Sequence, residues 1–397
     1  MGFTRRQALL AALLANAIRA IRNRFTVVPV FFAGWLTGEL APQLIAAQAI
    51  DTAVSVRKRK ASKVALALAA INAAGLVWLA KRSNAVPDQI DLILRGLDVP
   101  EDLEPRQRLR SSAARPFRFA EPGVEVLHNI PYTEGGRRAH LDIYRPEAGA
   151  TDAPVLIQVH GGGWSIGHKR QQGLLLMNRM AARGWVCVAV NYRLAPRYRW
   201  PTQIIDVKRS IAWVREHIAE YGGDPDYFVL TGGSAGGHLS ALAALTPDEK
   251  QWQPGFEADD TSVAACVPFY GGYDFAGDDV PTRMMREMFL SRFIFPPGAT
   301  ADDFEDASPL RRVRADAPDF LILHGENDSL FPVPKVREFV EQLREISDAS
   351  VTYVELPLTQ HAFEVFGSVR ARHTIRGVQR WLEWHHARWQ SEHRAPG

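Results

Sequence analysis

Six continuous apolar runs, separated by segments with helical patterning, constrain this chain more than any other feature. They are PVLIQVH (154–160), WVCVAVNYR (185–193), YFVLTGG (227–233), VAACVPFYG (263–271), FLILHG (320–325) and VTYVELP (351–357). An amphipathic strand alternates apolar and polar residues. Runs of unbroken Val, Ile and Leu instead predict strands buried on both faces, and hence a parallel sheet with helices packed on each side. Ahead of them, VEVLHNIPY (124–132) and RAHLDIYRP (138–146) read as two strands joined by a turn at Gly135–Gly136. The expectation is an α/β fold with a mostly parallel eight-stranded sheet, and the chain shows no internal repeat or low-complexity tract.

One strand ends in an unusual sequence. After YFVL comes TGGSAGGHLS (231–240), in which four glycines and an alanine surround Ser234. HLSALAAL (238–245) begins a helix, so Gly232–Gly236 forms a G-x-S-x-G match at a strand-to-helix turn. A turn that sharp needs small neighbours, because the backbone is strained and closely packed. It lifts the Ser234 hydroxyl out of the sheet and sets the Ala235 amide at a helix N-terminus, facing a developing anion.

A second glycine cluster, HGGGWSIG (160–167), directly follows the run PVLIQV. Its backbone N–H groups are unshielded, as an oxyanion hole requires, and Gly161 and Gly162 are the expected donors beside Ala235. A phosphate-cradling loop is the competing reading, but no Lys-Ser/Thr follows the glycines in that arrangement.

A serine is a weak nucleophile without a base. In sheet order the carboxylate follows a later strand and the histidine comes last. HGENDSLFPV (324–333) offers Asp328, with Glu326 as the alternative carboxylate, and QHAFEVF (360–366) offers His361. His324 is expected to hold its turn, and His385 and His386 sit on a polar C-terminal helix.

HGGGW, NYRLAP (191–196), GGDPDYFVLTGGSAGGHLS, HGENDSLFPV and HAF together resemble the α/β-hydrolase fold. More narrowly, they resemble the hormone-sensitive-lipase group of esterases and lipases, including bacterial and mycobacterial members with an apolar N-terminal extension. The resemblance covers roughly residues 120–390. It implies a serine carboxylesterase acting on lipophilic acyl esters through Ser234, His361 and Asp328, with an acyl-enzyme intermediate and no metal or organic cofactor. It also implies a cap between the sixth strand and the Asp328 strand. There RMMREMFLSRFIF (283–295) either contributes Met285 and Phe289 to an acyl pocket or is ordinary helix packing, with Trp164 as a further wall or a structural residue. Tyr192 and Arg193 are expected to brace their loop. Two departures from the group stand out: Gly233 occupies the position before the serine, where many members carry an acidic or polar residue, and the N-terminal region is long. An amidase of the aryl-formamidase type and a non-catalytic ligand-binding protein on the same scaffold are the alternatives.

The N-terminal region differs in character from the rest. Residues 1–82 carry twelve Lys/Arg against Glu39 and Asp51, a local charge of +10, so the remainder of this +3 chain carries −7. VALALAAINAAGLVWLA (64–80) is a run of seventeen uncharged residues, at the lower limit for a membrane span, with RKRKASK before it and Lys81–Arg82 after it. The expectation is a helical, basic and apolar region over 1–115, associated with a membrane or acting as a cap, and a catalytic domain over 116–397. A buried helical hairpin and a cytoplasmic location are the competing readings. TRRQALLAALLANA also resembles a twin-arginine export signal, although Arg19, Arg22 and Arg24 follow it. No basic patch with stacking aromatics points to nucleic acid. Cys187 and Cys266 lie inside apolar runs and read as buried thiols, and no Cys/His spacing resembles a zinc site.

Overall fold

The expected strands form one eight-stranded sheet in the computed structural model, which describes residues 1–20, 26–100 and 116–394. The strands are β1 (Val124–Pro131), β2 (His140–Pro146), β3 (Ala153–Val159), β4 (Val186–Val190), β5 (Gly223–Gly233), β6 (Ala265–Phe269), β7 (Asp319–Gly325) and β8 (Val351–Leu356), in the order β1-β2-β4-β3-β5-β6-β7-β8. β1 and β2 pair antiparallel, as do β2 and β4, and from β4 through β7 the pairing is parallel. Every residue of β3, β4, β6 and β7 is buried, which is the physical content of the unbroken apolar runs. By contrast β8, at the sheet edge, alternates buried and half-buried residues. β5 begins at Gly223 rather than at Tyr227, because the GDPD segment also pairs with β3.

Two compact units divide the chain. The larger comprises Phe119–Leu323, Pro334–Val354 and Val378–Gly397. It holds most of the sheet and the helices α6 (Leu174–Ala181), α7 (Thr202–His217) and α8 (Ala235–Leu245). The other comprises Met1–Arg118 together with His324–Val333 and Glu355–Gly377. The expected domain boundary near residue 115, the second half of the linker before it, and Arg22 and Arg24 lie outside the described residues.

Among the described residues, the N-terminal part of the smaller unit contains the helices α1 (Phe3–Ile18), α2 (Val27–Glu39), α3 (Ala41–Arg57), α4 (Lys63–Ser83) and α5 (Val86–Arg95). Pro42 stands in the first turn of α3. With no N–H to donate and a ring that crowds the preceding turn, it cannot continue α2, and the two helices meet at 83°. Leu14, Ala17, Ala41, Leu76, Leu79 and Ala80 form the apolar contact between α1, α3 and α4. A polar seam runs beside it: Asn72 Nδ2 donates to the Gln7 carbonyl at 2.9 Å, and Gln48 Nε2 donates to the Ala69 carbonyl at 2.6 Å, all buried. Only part of α4 is covered this way. Val64, Ile71, Val77 and Trp78 are exposed, and α2 exposes Val28, Phe32 and Leu36 along one stripe.

Candidate active site

Ser234 directly follows β5 with φ 58° and ψ −121°, a conformation that costs a non-glycine residue of order 1–3 kcal/mol. The turn is held by the Ser234 N–H donating to the Phe269 carbonyl at 3.0 Å and by the His238 N–H donating to the Ser234 carbonyl at 2.9 Å. Within residues 231–240 only Ser234 is not fully buried, so its hydroxyl is the group the turn presents. α8 starts at Ala235, three residues before the expected start at His238. Glycines weaken helix propensity and hid this first turn; tertiary packing overrides them. The packing also explains why they are there. A Cβ on Gly236 would lie 2.1 Å from the Val159 carbonyl oxygen, so the helix touches the end of β3 only because residue 236 has no side chain. Gly233 has a different reason: a Cβ there would lie 2.6 Å from the buried Tyr270 hydroxyl, leaving no room for the acidic or polar residue that many members carry.

The HGGG loop lies against this turn, since a Cβ on Gly161 would come within 3.1 Å of Ser234 Cβ. The Gly161 amide, however, donates to Gln172 Oε1 at 2.7 Å. This corrects the expectation that Gly161 is a ready donor. A side-chain acceptor eleven residues downstream has no signature in the local sequence. Gly162 adopts φ 116°, and its carbonyl accepts from the Ser165 and Ile166 amides, which curls the loop and fixes the Gly162 peptide. Ala235, as the first residue of α8, has an N–H with no intrahelical partner.

Beneath the loop sits a buried imidazole scaffold. Tyr192 stacks on His160 at 4.3 Å and donates its hydroxyl to the His160 carbonyl at 2.9 Å. Arg193 clamps Asp206, with Nη2 to Oδ1 at 2.6 Å, so both NYRLAP residues brace the loop as expected of them. Trp164 is 2% exposed and donates its indole N–H to His238 Nδ1 at 3.1 Å, while His238 Nε2 donates to the Ala307 carbonyl at 2.7 Å. That pair of bonds requires a neutral His238 and gives Trp164 a structural role. Phe289 comes close to the loop, its ring 3.3 Å from where a Gly163 Cβ would be. It belongs to a π-helix over Arg286–Ile294 that follows the short helix α9 (Val280–Met285), and Met285 is half-buried at the junction.

Burial lowers the His238 pKa to about 4 and that of His160 to about 3. An unfolded histidine titrates near 6.5, so between pH 6.5 and 4 the unfolded chain binds protons that the folded one refuses. The stabilisation is complete above pH 6.5 and is lost as pH falls. At pH 5 the loss from His238 alone is expected to be about 2 kcal/mol. Urea unfolding at pH 7.5 and pH 5 measures it. His238→Gln, whose side-chain amide can accept from Trp164 and donate to the Ala307 carbonyl and cannot titrate, should flatten that part of the pH dependence. An unchanged slope removes His238 as the cause.

Asp328 and His361 belong to the smaller unit, and the structure joins them: His361 Nδ1 donates to Asp328 Oδ2 at 2.7 Å, both residues buried. The other carboxylate oxygen, Oδ1, accepts the Leu330 and Phe331 amides at 2.8 and 2.9 Å. Burial alone would raise the Asp328 pKa, but the His361 imidazole and the Phe331 amide outweigh it and hold the carboxyl below its ordinary value. Glu326, the alternative, is exposed, and its Oε2 accepts the Leu358 amide at 3.0 Å. His324 Nε2 meets the Phe331 carbonyl at 2.8 Å, and burial lowers its pKa, so it holds the turn as a neutral ring.

Sequence reasoning missed the residues that hold this pair. Gln360 Oε1 accepts the Ser329 amide at 2.8 Å and the His361 amide at 2.9 Å, tying the two loops together. Helix α2 then packs on the histidine loop. Phe31 meets the His361 ring edge-on at 5.7 Å, Trp35 donates its indole N–H to the Ala362 carbonyl at 2.7 Å, and Glu39 accepts from Ser368 at 2.6 Å and pairs with buried Arg370. No cluster of metal-ligating side chains occurs among the described residues.

Comparison with known proteins agrees with this architecture. The BD-FAE family model matches residues 141–343. The chain is 43% identical to "Probable carboxylic ester hydrolase LipM" of Mycobacterium tuberculosis, over 94% of this chain and 91% of that protein. It is 40% identical to "Esterase LipQ" of the same organism, over 88% of this chain and 83% of that protein. Among solved structures, Thermogutta terrifontis esterase 2 is 26% identical with a TM-score of 0.55, covering 70% of this chain and 97% of the other. With a strained serine at the end of the fifth strand, a glycine loop beside it, and relatives of this identity along nearly its whole length, the chain belongs to the α/β-hydrolase family of esterases.

Proposed function

We propose that the protein is a serine carboxylesterase or lipase that hydrolyses lipophilic carboxylic esters through Ser234, His361 and Asp328. The observation that carries the reading is the strained, partly exposed Ser234 at the N-terminus of α8, in a chain that also buries a charged Asp328 against His361 Nδ1. In this mechanism His361 Nε2 takes the proton from Ser234 Oγ as Oγ attacks the acyl carbonyl. Asp328 fixes the tautomer and stabilises the imidazolium. The Gly162 and Ala235 amides receive the oxyanion; loss of one such donor typically costs about 3–4 kcal/mol of barrier. The imidazolium returns its proton to the leaving alcohol, and water activated by the same ring then releases the acid. Phe289, beside the glycine loop, and Met285 are assigned to the acyl pocket.

The N-terminal helices support a lipophilic substrate. The sequence over residues 1–82 has a charge of +10, α2 and α4 expose apolar faces, and residues 63–95 contain an apolar window long enough to cross a membrane, one-third buried. A basic, apolar surface of this kind fits an anionic bilayer. Two measurements test the reading. The purified protein is expected to hydrolyse p-nitrophenyl acyl esters and react with a fluorophosphonate probe, and inertness toward both refutes it. Full-length protein is expected to float with liposomes in a density gradient, and a chain that stays at the bottom refutes the membrane part alone.

A further inference from the structure

The rim of the sheet that carries Ser234 also holds a cavity of about 680 Å³, displaced toward β1 and β2. Asn191 lines it just past the end of β4, and β4, β3 and β5 run parallel, so this is the same end of the sheet as the nucleophile turn. The other walls are Asn129 of β1, Arg137, Arg138 and His140, from the turn entering β2, and His168 and Arg170, from the segment following the glycine loop.

The charges here do not balance. Asp142, fully buried, receives Lys169 Nζ at 2.7 Å and Arg170 Nε at 2.5 Å. Burial opposes ionisation of Asp142, but those two bonds prevail and keep its carboxyl well below the ordinary range, so it remains an anion. That single negative charge stands against Lys169, Arg170, Arg137 and Arg138. Arg138 spends a donor on a neutral group, the Gly167 carbonyl at 2.7 Å, and Arg137 is exposed. Three positive charges are left over before any histidine is counted. His168 reports the same field: after burial, the forces that lower its pKa are Lys169, Arg170 and Arg138, opposed by Asp142. A buried Asn191 fixes the floor, its Oδ1 accepting the Lys169 amide at 2.8 Å and its Nδ2 donating to the Arg137 carbonyl at 3.1 Å. Guanidinium groups present forked N–H donors that match the oxygens of a phosphate.

We propose that this cavity binds the phosphate group of an anionic ligand through Arg137 and Arg138, with Arg170, whose Nε and Nη2 are held by Asp142 and Asn129, adding positive charge. The proposal needs no catalytic step and stands whether or not Ser234 is the nucleophile. A phospholipid headgroup and a soluble phosphate ester or inorganic phosphate present the same chemistry to these arginines.

Calorimetric titration of the full-length protein with inorganic phosphate, at ionic strength held constant with chloride, is the test. Wild type is expected to bind saturably. Arg137→Glu should weaken binding by about tenfold or more, since it removes a charge-assisted donor and reverses a charge, while Arg137→Lys, which keeps the charge, should recover part of the loss. Arg137→Gln provides a neutral variant should the reversal disturb folding. No saturable binding by wild type, or binding as tight as wild type in both Arg137→Glu and Arg137→Gln, overturns the proposal. Co-sedimentation with phosphatidylglycerol vesicles, against phosphatidylcholine, separates the sources. Binding that falls in Arg137→Glu and is competed by inorganic phosphate identifies a headgroup. Vesicle binding untouched by a variant that has lost phosphate identifies a soluble ligand.

Discussion

Replacing Ser234 by alanine is expected to lower ester turnover by roughly 10⁴–10⁶-fold and to abolish fluorophosphonate labelling, with the fold intact. The loss is large because no other group supplies a nucleophile to the acyl carbon; what remains is the background from oriented amides and binding. The fold should survive because the side chain is not part of the packing. Ser234 is the partly exposed member of a buried stretch, and its structural bonds are made by its backbone N–H and carbonyl. Alanine meets the same penalty at φ 58° that serine already bears, so the turn is no more strained in the variant. Turnover of p-nitrophenyl butyrate and the thermal unfolding midpoint, measured on the same preparation, separate the two effects. A variant that still labels, or one that loses activity only in proportion to a lost midpoint, removes Ser234 as the nucleophile.

How much of this was legible in the sequence depends on the range of the interactions involved. The strands were legible because a strand buried on both faces must be apolar at every position, and β3, β4, β6 and β7 are buried throughout. The Ser234 turn was legible for a related reason. Several residues within one short stretch must lack a side chain where β3 and α8 touch, and that requirement is written locally. The first turn of α8 was not, since glycines at 236 and 237 argue against helix until β3 is known to lie against the first and the end of β6 against the second. Gln172 on the Gly161 amide, His238 beneath Trp164, and Trp35 on the Ala362 carbonyl join residues 11, 74 and 327 positions apart. Periodicity and turn chemistry act over a few residues, so they carry no trace of such pairs. The N-terminal helices show the consequence most plainly. Their composition points to a lipid surface, and one stripe of α2 is exposed and apolar, yet Phe31, Trp35 and Glu39 of the same helix pack on the segment that carries His361.

Asp328→Asn is expected to reduce kcat by about 10⁴-fold at neutral pH, while Glu326→Gln leaves it close to wild type. The geometry around Asp328 explains why so conservative a change should be so costly. Its Oδ1 accepts the Leu330 and Phe331 amides, and an asparagine oxygen can keep both bonds. The amide nitrogen must then take the place of Oδ2, 2.7 Å from His361 Nδ1. A donor at that point forces Nδ1 to accept, which drives the ring proton to Nε2 and leaves the imidazole unable to take a proton from a serine hydroxyl. Gln360 and Trp35 still hold the histidine loop through its backbone, so the ring stays in place with the wrong tautomer. Glu326 has none of these roles: it is exposed, and a glutamine there can still accept the Leu358 amide. Steady-state kinetics on both variants decides between the carboxylates, and nitrogen chemical shifts of His361 report the tautomer directly. Should Glu326→Gln lose activity while Asp328→Asn keeps it, the acid in the triad has been assigned to the wrong residue.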